Sequence, residues 1–374
     1  MSTLNKSEGV SLLNLILPKE SVVKVSDAIM QAGAKGVFQI SARGSVLSEG
    51  GFFQKMFPPP APEQLLLQAL VPDDNIDAVT DAAIQSGSLD KVGSGAVFSI
   101  SCNDAHVSSS FPTLISSDIN ISDSSVQPPN LEAICCICEK GIADDITKAA
   151  LQSGAPGPTV TYGEGGGVRD KIPLLRITKG PEKEFVWCVV EKSDADDIFS
   201  NMARAGKITE PGRGFMYSIP VHNGLINVSS TVSSSAHGAN MEQIISALDD
   251  IKGNKEWRTS LDSGKSNSLK TTFLENLVGL YCIVPRDFYE EVYDAVLDSG
   301  APGVSTNFGV MLDSENADSE QQQNEEWALV YTSVGPDSVD SLRDAISDKV
   351  SSLGIDRFAF YTLPIPRALT YLGG

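Results

Sequence analysis

Basic residues are scarce in this chain of 374: 28 Lys and Arg stand against 48 Asp and Glu, a formal charge of −20. Such a surface repels phosphate backbones and anionic lipid headgroups, so no nucleic-acid partner is expected. Histidine is scarcer still. The three, His106, His222 and His237, fall in or beside linkers, their positions suggest no Ser/His/Asp or Cys/His pairing, and carboxylates are too numerous to single out. No enzyme activity is expected. Long apolar runs are missing as well: none approaches the ~20 residues of a membrane span, and Met1-Ser-Thr-Leu-Asn-Lys lacks a basic-then-apolar leader pattern. A cytoplasmic protein without direct membrane insertion is the expectation. Cysteines number six, Cys102, Cys135, Cys136, Cys138, Cys188 and Cys282, all in apolar strand-like runs where a reduced thiol behaves as a small hydrophobe. In Ile134-Cys-Cys-Ile-Cys138 strand alternation sends Cys136 and Cys138 to one face and Cys135 to the other, with no histidine beside them. Core packing is the reading, and neither a metal nor a redox cofactor is expected.

What is present is one phrase written three times: Gln31-Ala-Gly-Ala-Lys-Gly36, Gln152-Ser-Gly-Ala-Pro-Gly157 and Asp298-Ser-Gly-Ala-Pro-Gly303. A second helix-ending glycine follows each at nearly constant distance, Gly33 to Gly87 (54 positions), Gly154 to Gly206 (52) and Gly300 to Gly354 (54). An internal repeat of this kind has to be settled before any fold is argued. It divides the chain into three units, 9–104, 131–222 and 277–374, each long enough to bury its own core.

Apolar periodicity gives each unit the order βαββαβ. In the first, strands are expected at Leu12–Leu17, Val37–Ile40, Leu65–Val71 and Ala96–Ile100, with helices at Lys19–Ala32 and Ile76–Ile84. Pro72-Asp-Asp74 supplies a helix start whose acidic first turn suits the macrodipole. The second has strands near 133–138, 159–162, 185–190 and 215–221 and helices near 144–152 and 194–205; the third has strands near 280–284, 304–308, 328–332 and 358–363 and helices near 288–298 and 338–352. The fold class expected is α+β: three tandem ferredoxin-like sandwiches, each a four-stranded antiparallel sheet with both helices on one face. The bare sheet faces then need cover. Three of them around a pseudo-threefold axis would bury one another, and covalent linkage favours closure, so an intramolecular, monomeric pseudo-trimer is expected.

Two linkers separate the units. Residues 105–130 are Ser/Pro-rich and read as an extended connection; residues 223–276 include an irregular stretch at Ser229–Gly238 and helical periodicity at Met241–Ile251.

The second unit carries the most diagnostic residues. Gly154-Ala-Pro-Gly-Pro-Thr-Val-Thr-Tyr162, the glycine-rich Gly163-Glu-Gly-Gly-Gly-Val-Arg169, and Ala205-Gly-Lys-Ile-Thr-Glu-Pro-Gly-Arg-Gly-Phe215 followed by Ser218-Ile-Pro-Val221 resemble the PII (nitrogen regulatory) signal-transduction family across the whole unit. The first and third units resemble it more weakly, through element order, the repeated phrase and helix spacing. This resemblance implies subunits around a threefold axis, nucleotide in clefts between neighbours, and a long loop between the second and third strands that touches partner proteins.

Read physically, Gly165, Gly166 and Gly167 are able to turn N–H groups toward an anion, and Gly206, Lys207, Gly212, Arg213 and Gly214 bring two cations and further N–H groups to the end of a helix. The plainer alternative is a tight turn and a helix cap. These glycines lead into loop and strand, whereas a Rossmann turn opens a helix and a P-loop needs Gly-Lys-Ser/Thr, so those two classes are excluded. Departures from the family are clear. After Val221 the second unit lacks basic C-terminal residues; the third keeps Arg357 in Gly354-Ile-Asp-Arg-Phe358 and offers Arg367 after its last strand; the first keeps Gly93 and Gly95 with Lys91 as its cation. The three clefts should differ.

The inter-strand loops diverge too. The first holds Phe52, Phe53 and Phe57, either a partner-binding patch or a cluster folded onto the core. The second, 169–183, is basic, and the third, 313–326, is acidic and reads as a solvated loop; none contains tyrosine, so the tyrosine modification of some family members has no acceptor there. The expectation is a PII-like regulator whose effector is an adenine nucleotide (ATP, ADP or AMP), with or without a small anion such as bicarbonate or 2-oxoglutarate, and which controls a transporter or enzyme through these loops. A ligand-free interaction subunit that keeps the ring is the alternative.

Overall fold

The computed structural model describes residues 4–48, 61–108, 110–112, 130–167, 182–228, 231–233, 272–313 and 325–372. The first unit contains β1 (Leu4–Ser7), β2 (Val10–Pro18), α1 (Val22–Gln31), β3 (Gly36–Arg43), β4 (Val46–Ser48), β5 (Glu63–Pro72), α2 (Asp73–Gly87), β6 (Gly95–Ser101) and β7 (Asp104–Ser108). The second contains β8 (Leu131–Glu139), α3 (Ala143–Gln152), β9 (Thr159–Gly167), β10 (Glu182–Glu191), α4 (Ala195–Gly206), β11 (Gly214–Pro220), β12 (Asn223–Asn227) and β13 (Thr231–Ser233). The third contains β14 (Leu274–Pro285), α5 (Tyr289–Asp298), β15 (Gly303–Asp313), β16 (Glu326–Val334), α6 (Val339–Ser352) and β17 (Ala359–Thr370). None of these helices is long and apolar enough to cross a membrane.

The expected α+β class holds. The neighbours in the sheet run β3-β5-β2-β6, β9-β10-β8-β11 and β15-β16-β14-β17, antiparallel throughout, so the same strand order recurs in each unit. Sequence alternation decides which side each residue serves. In β2, Leu13, Leu15 and Leu17 join Val25 and Ile29 of α1 and Val79 and Ala83 of α2 in one core, while Leu12 and Ile16 face the other way. In β8, Ile134, Cys136 and Cys138 pack with α3 and α4, whereas Ala133, Cys135 and Ile137 face away from them. The cysteine alternation read from the sequence is thus the one observed. Helix boundaries follow local chemistry: α2 starts after Pro72 with Asp73 and Asp74 in its first turn, and its last residue precedes Ser88, which sits left-handed at φ 50°. One ion pair recurs at the mouth of strands one and three in every unit: Lys19–Glu63, Lys140–Glu182 and Arg286–Glu326.

The side of each sheet away from its helices is covered by the other two sheets. Leu12, Ile16, Phe38 and Phe98 of the first unit, Cys135, Ile137, Phe185 and Tyr217 of the second, and Tyr281, Ile283, Trp327, Tyr331 and Tyr361 of the third form one buried cluster. Burying a large apolar side chain is worth about 1.5–3 kcal/mol. An exposed ion pair gives roughly 0–1 kcal/mol. The shared apolar interior therefore outweighs the surface charges in holding the units together.

Two sets of strand crossings close the arrangement. In the first set Gly309 lies opposite Ile40, Gly163 opposite Asn307 and Ala42 opposite Thr161. Counted from the last glycine of each repeated phrase, every one of these pairs joins the sixth residue of one unit to the fourth of another. In the second set a short tail after each fourth strand adds to the fourth strand of a neighbour: Asp104 opposite Thr362, Asn223 opposite Ser99, and Arg367 opposite Ser218. The tail of unit one thus lies on unit three, that of three on two, and that of two on one. Residues 105–108 and 223–227, read as linker from the sequence, lie in strands because these edges give their N–H and C=O groups partners. The helical pattern at 241–251 and the irregular stretch 234–238 lie outside the described residues.

Candidate functional site

Each fourth strand is entered through a turn after the second helix, and the tail of a neighbouring unit runs beside that turn. In the second unit Lys207 ends α4 in a left-handed conformation at φ 51°, and Gly212 (φ 73°) and Gly214 (φ 154°) carry the chain into β11. A side chain at 214 would overlap the carbonyl oxygen of Ile137, so this glycine is required by the strand junction itself. Gly95 stands in the same relation to Ile16. Gly206 backs onto Ile146 and Ile208 in the core. Arg213 projects from the turn, 36% exposed, with Glu210 at 3.5 Å and Glu139 at 3.9 Å. The tail of the third unit passes here, its Thr370 hydroxyl donating to the Gly214 carbonyl at 2.8 Å.

The equivalent arginine of the third unit, Arg357, is held harder. Glu325 lies 2.8 Å from it and Asp313 3.5 Å, and its guanidinium sits 5.1 Å from the Trp327 ring centroid. That contact brings the end of the second strand up to the turn. Ten residues beyond the repeated phrase, where the third unit has Asp313, the second has Gly167, which has no carboxylate to offer. Among the described residues, Arg213 is thus held at longer range by its carboxylates than Arg357 is.

Other candidate residues are placed differently from the sequence reading. Gly165, Gly166 and Gly167 form no turn: they continue β9 and pair with Ser305, Val304 and Gly303. Glycine is needed along this stretch for close approach, since a Cβ at Gly163 would overlap the Thr306 carbonyl oxygen and one at Gly165 would lie 3.1 Å from Lys183 Cγ. Arg367 lies under the second unit, donating to Glu132 at 3.1 Å and to Asp196, with its guanidinium 4.5 Å from the Phe199 ring centroid. These carboxylates already occupy the cation read as a phosphate contact. In the first unit Lys91 is exposed, but the Gly93 N–H donates to Asn227 of the second unit's tail at 2.7 Å, and the Asn227 side chain donates to the Leu89 carbonyl at 2.6 Å. Phe52, Phe53 and Phe57 lie outside the described residues, as does most of each inter-strand loop. A shallow depression lined by Pro18, Lys19, Glu20, Pro62 and Glu63 contains none of the candidate residues.

Three residues that sequence reasoning passed over sit between units. Arg43 donates to Tyr162 Oη and Asp144 at 2.7 Å each, joining units one and two. Asp104 of the first tail accepts from Thr362 and lies 3.8 Å from Arg343 of α6. His106, two residues on, is 3.6 Å from Asp104 and 5.7 Å from the Phe360 ring centroid. Burial holds its imidazole below the ordinary histidine range, against the opposing pull of Asp104. Arg43 and Asp104 escape a local reading because their partners are supplied from distant parts of the chain, and His106, though two positions from Asp104, is buried by a strand of the third unit.

No family model matches the chain, and no curated protein matches it. Among solved structures it is similar to the crystal structure of aspartate kinase from Synechocystis, at 8% identity and a TM-score of 0.21, over 96% of this chain and 44% of that one. The chain thus spans less than half the length of that neighbour. A likeness at this level carries no argument about activity.

Proposed function

We propose that the chain is a PII-like regulatory protein: three ferredoxin-like units closed into an intramolecular pseudo-trimer that binds an adenine nucleotide between units and controls a partner protein through the inter-strand loops. The observation that carries this reading is the repeated register of both sets of strand crossings, together with the turn of Lys207 and Arg213 lying beside a neighbour's tail. A chain of charge −20 attracts a nucleotide only where cations are concentrated. Lys207 and Arg213 are the cations of the turn beside tail three, and since Glu210 and Glu139 reach Arg213 only at 3.5 and 3.9 Å, the cleft between units two and three is the one assigned here. The reading contains no catalytic step. Nucleotide would act by favouring one loop arrangement over another, which requires unequal affinity for the two.

A second reading, a scaffold that keeps the ring without ligand, is favoured at the other two clefts by the carboxylates on Arg357 and by the Asn227 tail on Gly93. Isothermal titration with ATP, ADP, AMP and cyclic AMP separates the two readings. The regulator reading expects saturable binding of at least one of them, and an Arg213→Ala chain should bind about 10- to 100-fold more weakly, the value of one charge-assisted contact. No heat with any of the four would leave the scaffold.

A further inference from the structure

Three unlike units around a heterologous ring can be arranged in two cyclic orders, and both would present the same kind of strand edge to every tail. Chain connectivity does not choose between them. The 22 residue steps from Ser108 to Asn130 reach about 70 Å when extended, and the 39 steps from Ser233 to Thr272 reach further. A compact chain of this length is only about 55 Å across. The choice has to come from side chains.

At each tail crossing, one tail residue meets one residue on the second helix of the unit beneath. The helix residues are equivalent: Asp77, Asp196 and Arg343 each stand twelve positions before the residue (Leu89, Ile208 or Ile355) whose N–H closes the helix end. The tail residues Asn223, Arg367 and Asp104 are equivalent by their pairing to Ser99, Ser218 and Thr362. Yet the chemistry differs at every crossing. Arg367 of tail three donates to Asp196 of unit two; Asp104 of tail one lies 3.8 Å from Arg343 of unit three; Asn223 of tail two donates to Asp77 of unit one at 3.2 Å. The charge sign is thus inverted between two of the three sites. In the reverse order Asp104 would lie on Asp196, carboxylate against carboxylate, and Arg343 would face Asn223, while Arg367 would still meet a carboxylate, Asp77.

We propose that Asp104, Arg343 and Asp196 are recognition residues that fix the cyclic order of the three units, by rewarding the observed Asp104–Arg343 contact and penalising the reversed Asp104–Asp196 one. This depends on the three-unit ring and is independent of any nucleotide. The apolar interior supplies most of the cohesion, and the charged pairs supply the choice.

Engineered cystines in the full chain read the order directly. Val107 and Ala359 are opposed across the crossing of tail one with unit three, within the Cα spacing a disulfide accepts. Phe215 is the residue of unit two equivalent to Ala359, each being paired to its own first strand at Ile137 and Ile283. In the unaltered background a Val107→Cys/Ala359→Cys chain should oxidise fully and a Val107→Cys/Phe215→Cys chain not at all; failure of the first would overturn the ring itself. Asp104→Arg places two arginines together in the observed order and makes an Arg–Asp pair in the reversed one. It should shift about one chain in ten or more to the 107–215 cystine. Adding Arg343→Asp gives residue 104 a carboxylate partner in either order, and should raise the 107–359 share again without returning it to that of the unaltered chain. If Asp104→Arg does not fold, Asp104→Asn carries the test, since it removes the conflict at Asp196, and the 107–215 cystine must then become detectable. An Asp104 variant that forms only the 107–359 cystine, as the unaltered chain does, overturns the proposal.

Discussion

A single methyl group placed at Gly309 should loosen the contact between the first and third units. This glycine lies opposite Ile40, and a Cβ there would overlap the Gln39 carbonyl oxygen and stand 2.9 Å from Phe38 Cε2. Ordinary contact begins near 3.4 Å and the Gln39 oxygen lies at 2.1 Å, so β15 must retreat from β3 by about 1 Å. Overpacking of this kind costs about 1–3 kcal/mol. A weakened ladder hydrogen bond adds about 1 kcal/mol. The stiffer unfolded chain returns roughly 0.4–1 kcal/mol. The net loss, about 1–3.5 kcal/mol, corresponds to a fall in Tm of roughly 1–5 °C in a chain of this size. Gly335→Ala is the control, because nothing lies within 4 Å of its Cβ and its φ of −65° suits any residue. Thermal unfolding followed by circular dichroism measures both. Should Gly309→Ala melt with the parent, or no lower than Gly335→Ala, the crossing is not as close as described and the argument from it fails.

Two further perturbations report on the buried interior. Burial pushes the thiols of Cys135, Cys136 and Cys188 far up and those of Cys138 and Cys282 up to about 12; these five should stay unlabelled by a thiol reagent at pH 8 and react together only when the chain unfolds, and rapid labelling of any of them in the native chain would contradict the packing. His106 is held below the ordinary histidine range by burial, so the unfolded chain binds its proton more tightly than the folded one; stability is then full above about pH 6.5 and declines as pH falls through that value. Replacing His106 with Gln should flatten the difference in Tm between pH 7.5 and 5.5 relative to the parent, and an unchanged difference would show that the imidazole titrates as freely folded as unfolded.

Much of each unit was legible because its strands and helices bury apolar residues at their own local period. Leu13, Leu15 and Leu17 alternate along β2, and Val22, Val25 and Ile29 recur along α1. Legibility ends where the partner lies in another unit. The second strands expected to end at Ile40, Tyr162 and Phe308 run on to Arg43, Gly167 and Asp313, and these extensions pair with strands of other units as well as with the third strand of their own. Gly165, Gly166 and Gly167 pointed to an anion-binding turn because glycine serves close backbone approach and phosphate contact alike, and only the neighbouring strand separates the two uses. Arg367 could be named as a cation after the last strand. Its carboxylates, Glu132 and Asp196, are 235 and 171 positions away, beyond any local reading. The turn at Lys207 and Arg213 was read with the correct elements because glycine after a helix marks its end.

Closure of three units on one another is the claim on which the cleft, the regulator reading and the cyclic order all rest. Small-angle X-ray scattering of the intact chain at several dilutions tests it without a label or a ligand. A ring predicts a radius of gyration of about 21–24 Å, the scaling value for 374 residues with some allowance for loops. Three units strung out in line, each of roughly 13 Å, would give about 28 Å or more. A concentration-independent value in the first range supports closure; one in the second contradicts it.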